Sequence, residues 1–158
     1  MLQQKTQIEI QMKSIFQNTS DLLRDVKMSD LKKQKLEKCE SLDMIVGIIY
    51  CLKDIPPLNL NYIDNNQDLK NINEYVTFKI MESFSAFNAT VMNYYNLIKY
   101  VKDDTFLKQA ERIYKIYENP HLNTSFVQSF KPVEAFLYSL FKDMIQYYRL
   151  QKQYNLLG

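Results

Sequence analysis

Over residues 69–101 the chain contains neither proline nor glycine, and its apolar residues recur at steps of three and four. They are Ile72, Tyr75 and Val76, Ile80, Phe84, Phe87, Val91, Tyr94 and Tyr95, Ile98, and Val101. That spacing puts them on one stripe of a single long helix. The stripe is largely aromatic, so the surface that covers it must be broad. The prediction is an all-α fold in which the other helices pack around this one, and nothing in the stretch is chemically reactive.

The rest of the chain agrees with few, long helices. Only two glycines and four prolines interrupt 158 residues, which is the length of one domain. With 46% hydrophobic residues, there is material for a core. Residues 2–26 carry helical spacing at Ile8, Met12, Ile15/Phe16, Leu22/Leu23 and Val26. Asn18-Thr19-Ser20-Asp21 reads as a break that caps a second short helix. Ser29 caps the next helix, whose apolar positions run from Leu36 to Leu52. Gly47, in its middle, either lowers helix propensity or admits a close neighbour.

Pro56-Pro57 ends that helix, because a residue before proline avoids the α region. Residues 56–68 form one long loop before the central helix. Asp103-Asp104 closes the central helix and caps another at about 105–118. Asn119-Pro120 stops that one, a short piece begins near Asn123-Thr124, and Pro132 opens a last helix. The expected architecture is five to seven antiparallel helices stacked as a short α-solenoid or a bundle. Residues 1–28 are an N-terminal helical segment, and residues 29–158 are the main helical domain of one compact unit.

Charge and motifs exclude more than they assign. A formal net charge of +2 gives no basic face for nucleic acid. The longest apolar run, Met44 to Leu52, is far short of the ~20 residues of a membrane span. The first residues lack the apolar core of a signal peptide, so a cytoplasmic protein is expected. Cys39 and Cys51 share one predicted helix, roughly 18 Å apart by helical rise, and cannot pair there. Both read as small buried hydrophobes.

His121 is the only histidine. It lacks the Cys or second His that a metal site needs and reads as a loop residue beside Pro120. No metal and no cofactor is expected. Glu74, Glu82, Asp103, Asp104, Glu111 and Glu118 each lie where a cap or a solvated face needs a carboxylate, so no enzyme is expected. Lys27, Lys32, Lys33, Lys35 and Lys38 spread around their helix as a solvated face. Both leucines of Asp21-Leu22-Leu23 fit a core stripe. The Asn-x-Ser/Thr sequons at Asn18, Asn88 and Asn123 are chance in a chain this rich in asparagine.

From Leu36 onward the order of features resembles the C-terminal half of an ANTH domain, the clathrin-assembly domain of the CALM type. Leu36–Ile55, with Leu42-Asp43 and a short tail into Pro56, resembles the family's "L..LLD.LL.C.P" helix. Ile80-Met81-Glu82-Ser83-Phe84 resembles its "ESF" segment. Phe87-Asn88 and Val91-Met92-Asn93 stand where the family has Tyr-Asn and then Ile-Ile-Asn. Ile113-Tyr114-Lys115 resembles its "IYKR" helix, Phe126 its "EF" position, and Pro132 with the last helix its leucine-rich ending.

The resemblance implies a non-enzymatic helical adaptor in clathrin-linked vesicle traffic. It implies a partner helix, of the vesicle SNARE kind, seated in an apolar groove running here from Tyr95 to Leu122. It places the protein peripherally on vesicles or the plasma membrane. The family's lysine- and histidine-rich phosphoinositide motif has no counterpart in this chain, so lipid binding is not carried over. Any membrane contact would belong to a missing N-terminal part. The other reading is a structural subunit of a larger assembly, its aromatic stripes forming an obligate interface.

Overall fold

The computed structural model describes residues 2–26, 39–58, 84–118 and 132–158. Among them are five α-helices and one 3-10 turn, with no strand: α1 (Leu2–Asp25), α2 (Cys39–Leu52), α3 (Phe84–Leu97) with its 3-10 extension Ile98–Tyr100, α4 (Thr105–Tyr117) and α5 (Pro132–Leu156). The fold is all-α, helix packed on helix. The expected helices at 105–118 and from Pro132 are α4 and α5.

From Met44 to Leu52, α2 is buried on every side. Met44 to Leu52 are all shielded from solvent, and they include Ile45, Val46, Ile48, Ile49 and Cys51. A helix apolar all round belongs in the middle of other helices, and α2 lies against α3, α4 and α5. It runs antiparallel to α4, since Asp43 meets Tyr117 near one end while Tyr50 meets Phe106 near the other. Gly47 is where α5 comes closest. A Cβ there would overlap the Phe141 ring, at 2.5 Å from Cε1 and 2.8 Å from Cε2. The glycine is therefore a point of close approach, the second of the two roles expected for it. The helix stops at Leu52, and Ile55 N–H closes the turn on the Leu52 carbonyl at 3.1 Å, just before Pro56.

Of the long stretch 69–101, residues 69–83 lie outside the described residues. The remainder is α3, which buries Phe87, Thr90, Val91, Tyr94 and Tyr95, then tightens at Ile98–Tyr100. The chain after α2 is tied onto it. Asn93 Nδ2 donates to the Pro56 carbonyl at 2.9 Å, and Leu58 N–H donates to Thr90 Oγ1 at 3.1 Å.

Helix α1 is one uninterrupted helix, which corrects the expected break at Asn18–Asp21. The polar run does not cap anything, because Thr19 is wholly buried and its hydroxyl is used by a neighbouring element. α1 lies antiparallel to α5: Glu9 meets Tyr154, and Thr19 meets Asp143. Only Met12, Thr19 and Leu23 of α1 are fully buried. α5 continues to Leu156 beyond the apolar stripe that ends at Tyr148. Its last turns are held by α1, with Tyr154 Oη donating to Glu9 at 3.1 Å.

Asp103 and Asp104 divide the work between α3 and α4. Asp103 Oδ1 accepts from Thr105 N at 3.1 Å and from Thr105 Oγ1 at 2.6 Å. Asp104 occupies the N-cap position without a side-chain cap. Its carboxylate accepts from Tyr148 Oη of α5 at 2.8 Å and pairs with Lys108 at 3.5 Å.

Candidate functional site

Twelve tyrosines and no tryptophan give this core a supply of hydroxyls on aromatic bodies. A buried tyrosine hydroxyl needs a partner, and here the partner is usually on another helix. Tyr94 Oη donates to the Met144 carbonyl of α5 at 2.8 Å. Tyr117 Oη of α4 donates to Asp43 of α2 at 2.5 Å. These bonds fix the helices in register.

The most connected of these points is Tyr95. Its hydroxyl lies 2.6 Å from Thr19 Oγ1 of α1, and Thr19 Oγ1 donates to Asp143 Oδ2 of α5 at 3.1 Å. A threonine hydroxyl has one hydrogen. With that hydrogen given to Asp143, Tyr95 must be the donor to Thr19. The order is Tyr95 to Thr19 to Asp143, three helices joined through one hydroxyl. Around it stand ring edges: Phe16 at 5.8 Å, Tyr94 at 5.3 Å and Tyr147 at 4.7 Å from the Tyr95 centroid.

Burial raises the Tyr95 hydroxyl well above the usual phenol range. It also pushes the Asp143 carboxyl up to about 6, against the pull of the Thr19 bond and of Lys142. Beside the relay a cleft of about 400 Å³ opens between α1 and α5, lined by Glu9, Met12, Lys13, Phe16, Gln17 and Tyr147.

The predicted groove ran from Tyr95 to Leu122. Leu122 lies outside the described residues. Tyr95 is 3% exposed, and α1 stands where an incoming helix would meet it. His121, Glu74, Glu82, the five lysines from Lys27 to Lys38 and the sequon at Asn123 also lie outside the described residues.

The other candidates are accounted for by packing. Glu111 and Glu118 hold one guanidinium: Arg149 Nε donates to Glu111 at 2.7 Å, and its two terminal nitrogens donate to Glu118 at 2.9 and 2.7 Å. The guanidinium also lies over the Tyr114 ring, 5.4 Å from its centroid. Glu118 is held below the usual carboxylate range by those Arg149 bonds. Leu23 is in the core, and Leu22 packs against it. Cys51 is a free, buried thiol, pushed up to about 12 by burial. Such a thiol is a poor nucleophile. Among the described residues no group of three or more His, Cys, Asp or Glu could hold a metal ion. No helix among them is long and apolar enough to cross a membrane.

The sequence offers Thr19 only as part of the expected break at Asn18–Asp21, and it does not mark Asp143. A signal for Thr19 exists, since Met12, Phe16, Thr19 and Leu23 follow each other at steps of four, three and four. Thr19 therefore sits in an apolar stripe. Asp143 gives no such signal, because it falls beside the stripe Leu140, Phe141, Met144, Ile145 and is partly exposed, where a carboxylate is ordinary.

Comparison with family models, with curated proteins and with solved structures gave no match to this chain.

Proposed function

We propose that this protein is a non-catalytic helical interaction module that receives an amphipathic helix from a partner. The single observation that carries this reading is the seat of α1. A helix with only three fully buried residues lies along α5 and against α3, over an aromatic surface with a polar centre. A surface that takes one helix by ring packing and one hydroxyl is built to take a helix. On the resemblance to the ANTH domain, the partner is a vesicle SNARE helix and the setting is clathrin-linked traffic, with the protein peripheral on vesicles. The test is a pulldown and calorimetric titration of the whole chain against SNARE helices. Binding at micromolar affinity, lost on Tyr95→Ala, is the expected result. Absence of binding to every vesicle SNARE removes that identity of the partner.

A second reading, a subunit of a larger assembly, is favoured by apolar side chains left in solvent where the first turn of α1 lies near the last turns of α5. Leu2 is 80% and Leu156 86% exposed. Scattered single residues of this kind are ordinary, so the helix-receiving reading is preferred. Poor recovery of the chain alone, with rescue by co-expressed partners, would reverse that preference.

A further inference from the structure

Asp143 stands where three helices meet, and a neutral group bonds it across the contact of α1 with α5. Thr19 Oγ1 of α1 donates to its Oδ2 at 3.1 Å, and the Tyr95 hydroxyl of α3 lies 2.6 Å behind Thr19. The carboxyl is half-buried, and the hydroxyl that meets it is on a wholly buried residue. The carboxylates that α4 presents to α5 are placed differently. Asp104 has Lys108 beside it, and Glu111 and Glu118 share Arg149. Among the described residues no cation pairs with Asp143. A charge set between helices with one hydroxyl for company carries a cost that the neutral acid does not.

The groups that face Asp143 are few. α1 brings Thr19, while its charged neighbours Asp21 and Arg24 pair with each other at 3.3 Å. α3 brings Tyr95. α5 itself brings the exposed Lys142, whose pull is smaller than the effect of burial, and Tyr147 one turn on, whose ring edge meets Tyr95. The relay also tolerates loss of the charge, since either hydroxyl of the Thr19–Tyr95 pair can be the donor. An ionised Asp143 receives the Thr19 hydrogen, and a protonated Asp143 can return one to Thr19 Oγ1.

We propose that Asp143 makes the seating of α1 acid-strengthened: α1 is held more firmly on α5 in mildly acidic than in neutral solution, while the enclosed part of α2 is indifferent. This stands or falls apart from the helix-receiving reading. The sign follows from which state holds the proton. With α1 seated, the carboxyl keeps its proton up to about pH 6, against 3.8 for the ordinary group. The added hold is therefore complete below the ordinary value and is lost as the pH rises through about 6.

The experiment is hydrogen exchange on the full chain at pH 5 and pH 7, corrected for intrinsic rates. The amides of residues 12–23 should gain about three- to tenfold in protection at pH 5, relative to those of residues 44–52. Asp143→Asn keeps an acceptor for Thr19 and cannot ionise, so its relative protection should be the same at both pH values. Asp103, Asp104 and Glu118 are held below the ordinary carboxylate range and do not titrate in this window. His121, whose ordinary range falls inside it, is present in both proteins, so the difference between them reports Asp143. If the variant does not fold, the Asp143 carboxyl carbon of the wild-type chain should titrate by NMR near pH 6, with the Thr19 methyl resonance moving at the same midpoint. A carboxyl midpoint near 4 overturns the proposal. So does a wild-type ratio of α1 to α2 protection that stays constant with pH, or one that changes equally in Asp143→Asn.

Discussion

A methyl group added at position 47 would collide with the Phe141 ring, which is fully buried and wedged edge-on against Tyr114 at a centroid distance of 5.6 Å. Alanine gains about 1 kcal/mol of helix propensity over glycine. Overpacking a closed core costs about 1–3 kcal/mol, and the ring has no free direction in which to yield. Gly47→Ala should therefore lower stability by about 1 kcal/mol or more in urea unfolding; an unchanged or raised midpoint would show that α2 and α5 stand farther apart. Thr19→Val leaves Tyr95 and Asp143 unbonded and should cost about 1–3 kcal/mol, with Thr19→Ser recovering most of it in the same assay. Cys51 should resist maleimide labelling in the folded chain and react on denaturation, because burial keeps its thiol protonated.

The elements differ in how firmly they are held. α2 is enclosed by three helices, whereas the first ten residues of α1 rest on the end of α5 through contacts such as Glu9–Tyr154 and Lys5 over the Tyr154 ring. Local opening follows the number of buried contacts. Hydrogen exchange should thus release the amides of residues 2–11 at a much lower free energy than those of residues 44–52. Equal protection in both would mean that α1 is as integral as α2. α4 is bound to α5 by the Arg149 fork on Glu111 and Glu118, with side-chain exposures of 27%, 17% and 40%. A planar bidentate grip cannot be reproduced by an ammonium group. Arg149→Lys should cost roughly 1 kcal/mol in thermal unfolding; no loss would mean the fork is too well solvated to matter.

Across the whole molecule two sets of carboxylates pull the pH dependence in opposite directions. Asp103, Asp104 and Glu118 are lowered by bonds from Thr105, Tyr148 and Arg149 respectively. Their contribution is present above the ordinary carboxylate range and is lost on acidification. Asp143 is raised to about 6 from 3.8, so the folded chain holds that proton more tightly than the unfolded chain does. Its contribution is complete below about pH 4 and declines as the pH rises to about 6. Asp143→Asn removes only this second effect. The stability of the variant relative to the wild type should therefore rise between pH 4 and 6 and level off above, measured by urea unfolding at each pH. A flat difference would place Asp143 in water.

The sequence by itself determined the class of this fold. Stripes at steps of three and four, with almost no glycine or proline between them, leave a chain little choice but helices that bury those stripes against one another. It also marked where α4 and α5 begin, because Asp103-Asp104 and Pro132 act through local backbone chemistry. It did not determine which helix is enclosed. The long aromatic stripe of 69–101 is conspicuous in the sequence, yet among the described residues it is the Met44–Leu52 part of α2 that is covered on every side, since enclosure depends on how many neighbours arrive and not on how strong one stripe is. Asn18–Asp21 looks like a helix end to any local rule. It continues as helix because Tyr95 and Asp143, 76 and 124 residues away in sequence, take up the Thr19 hydroxyl. Only the tertiary structure could bring those three groups together, and that is why the polar centre of the α1 seat was not legible from the residues in order.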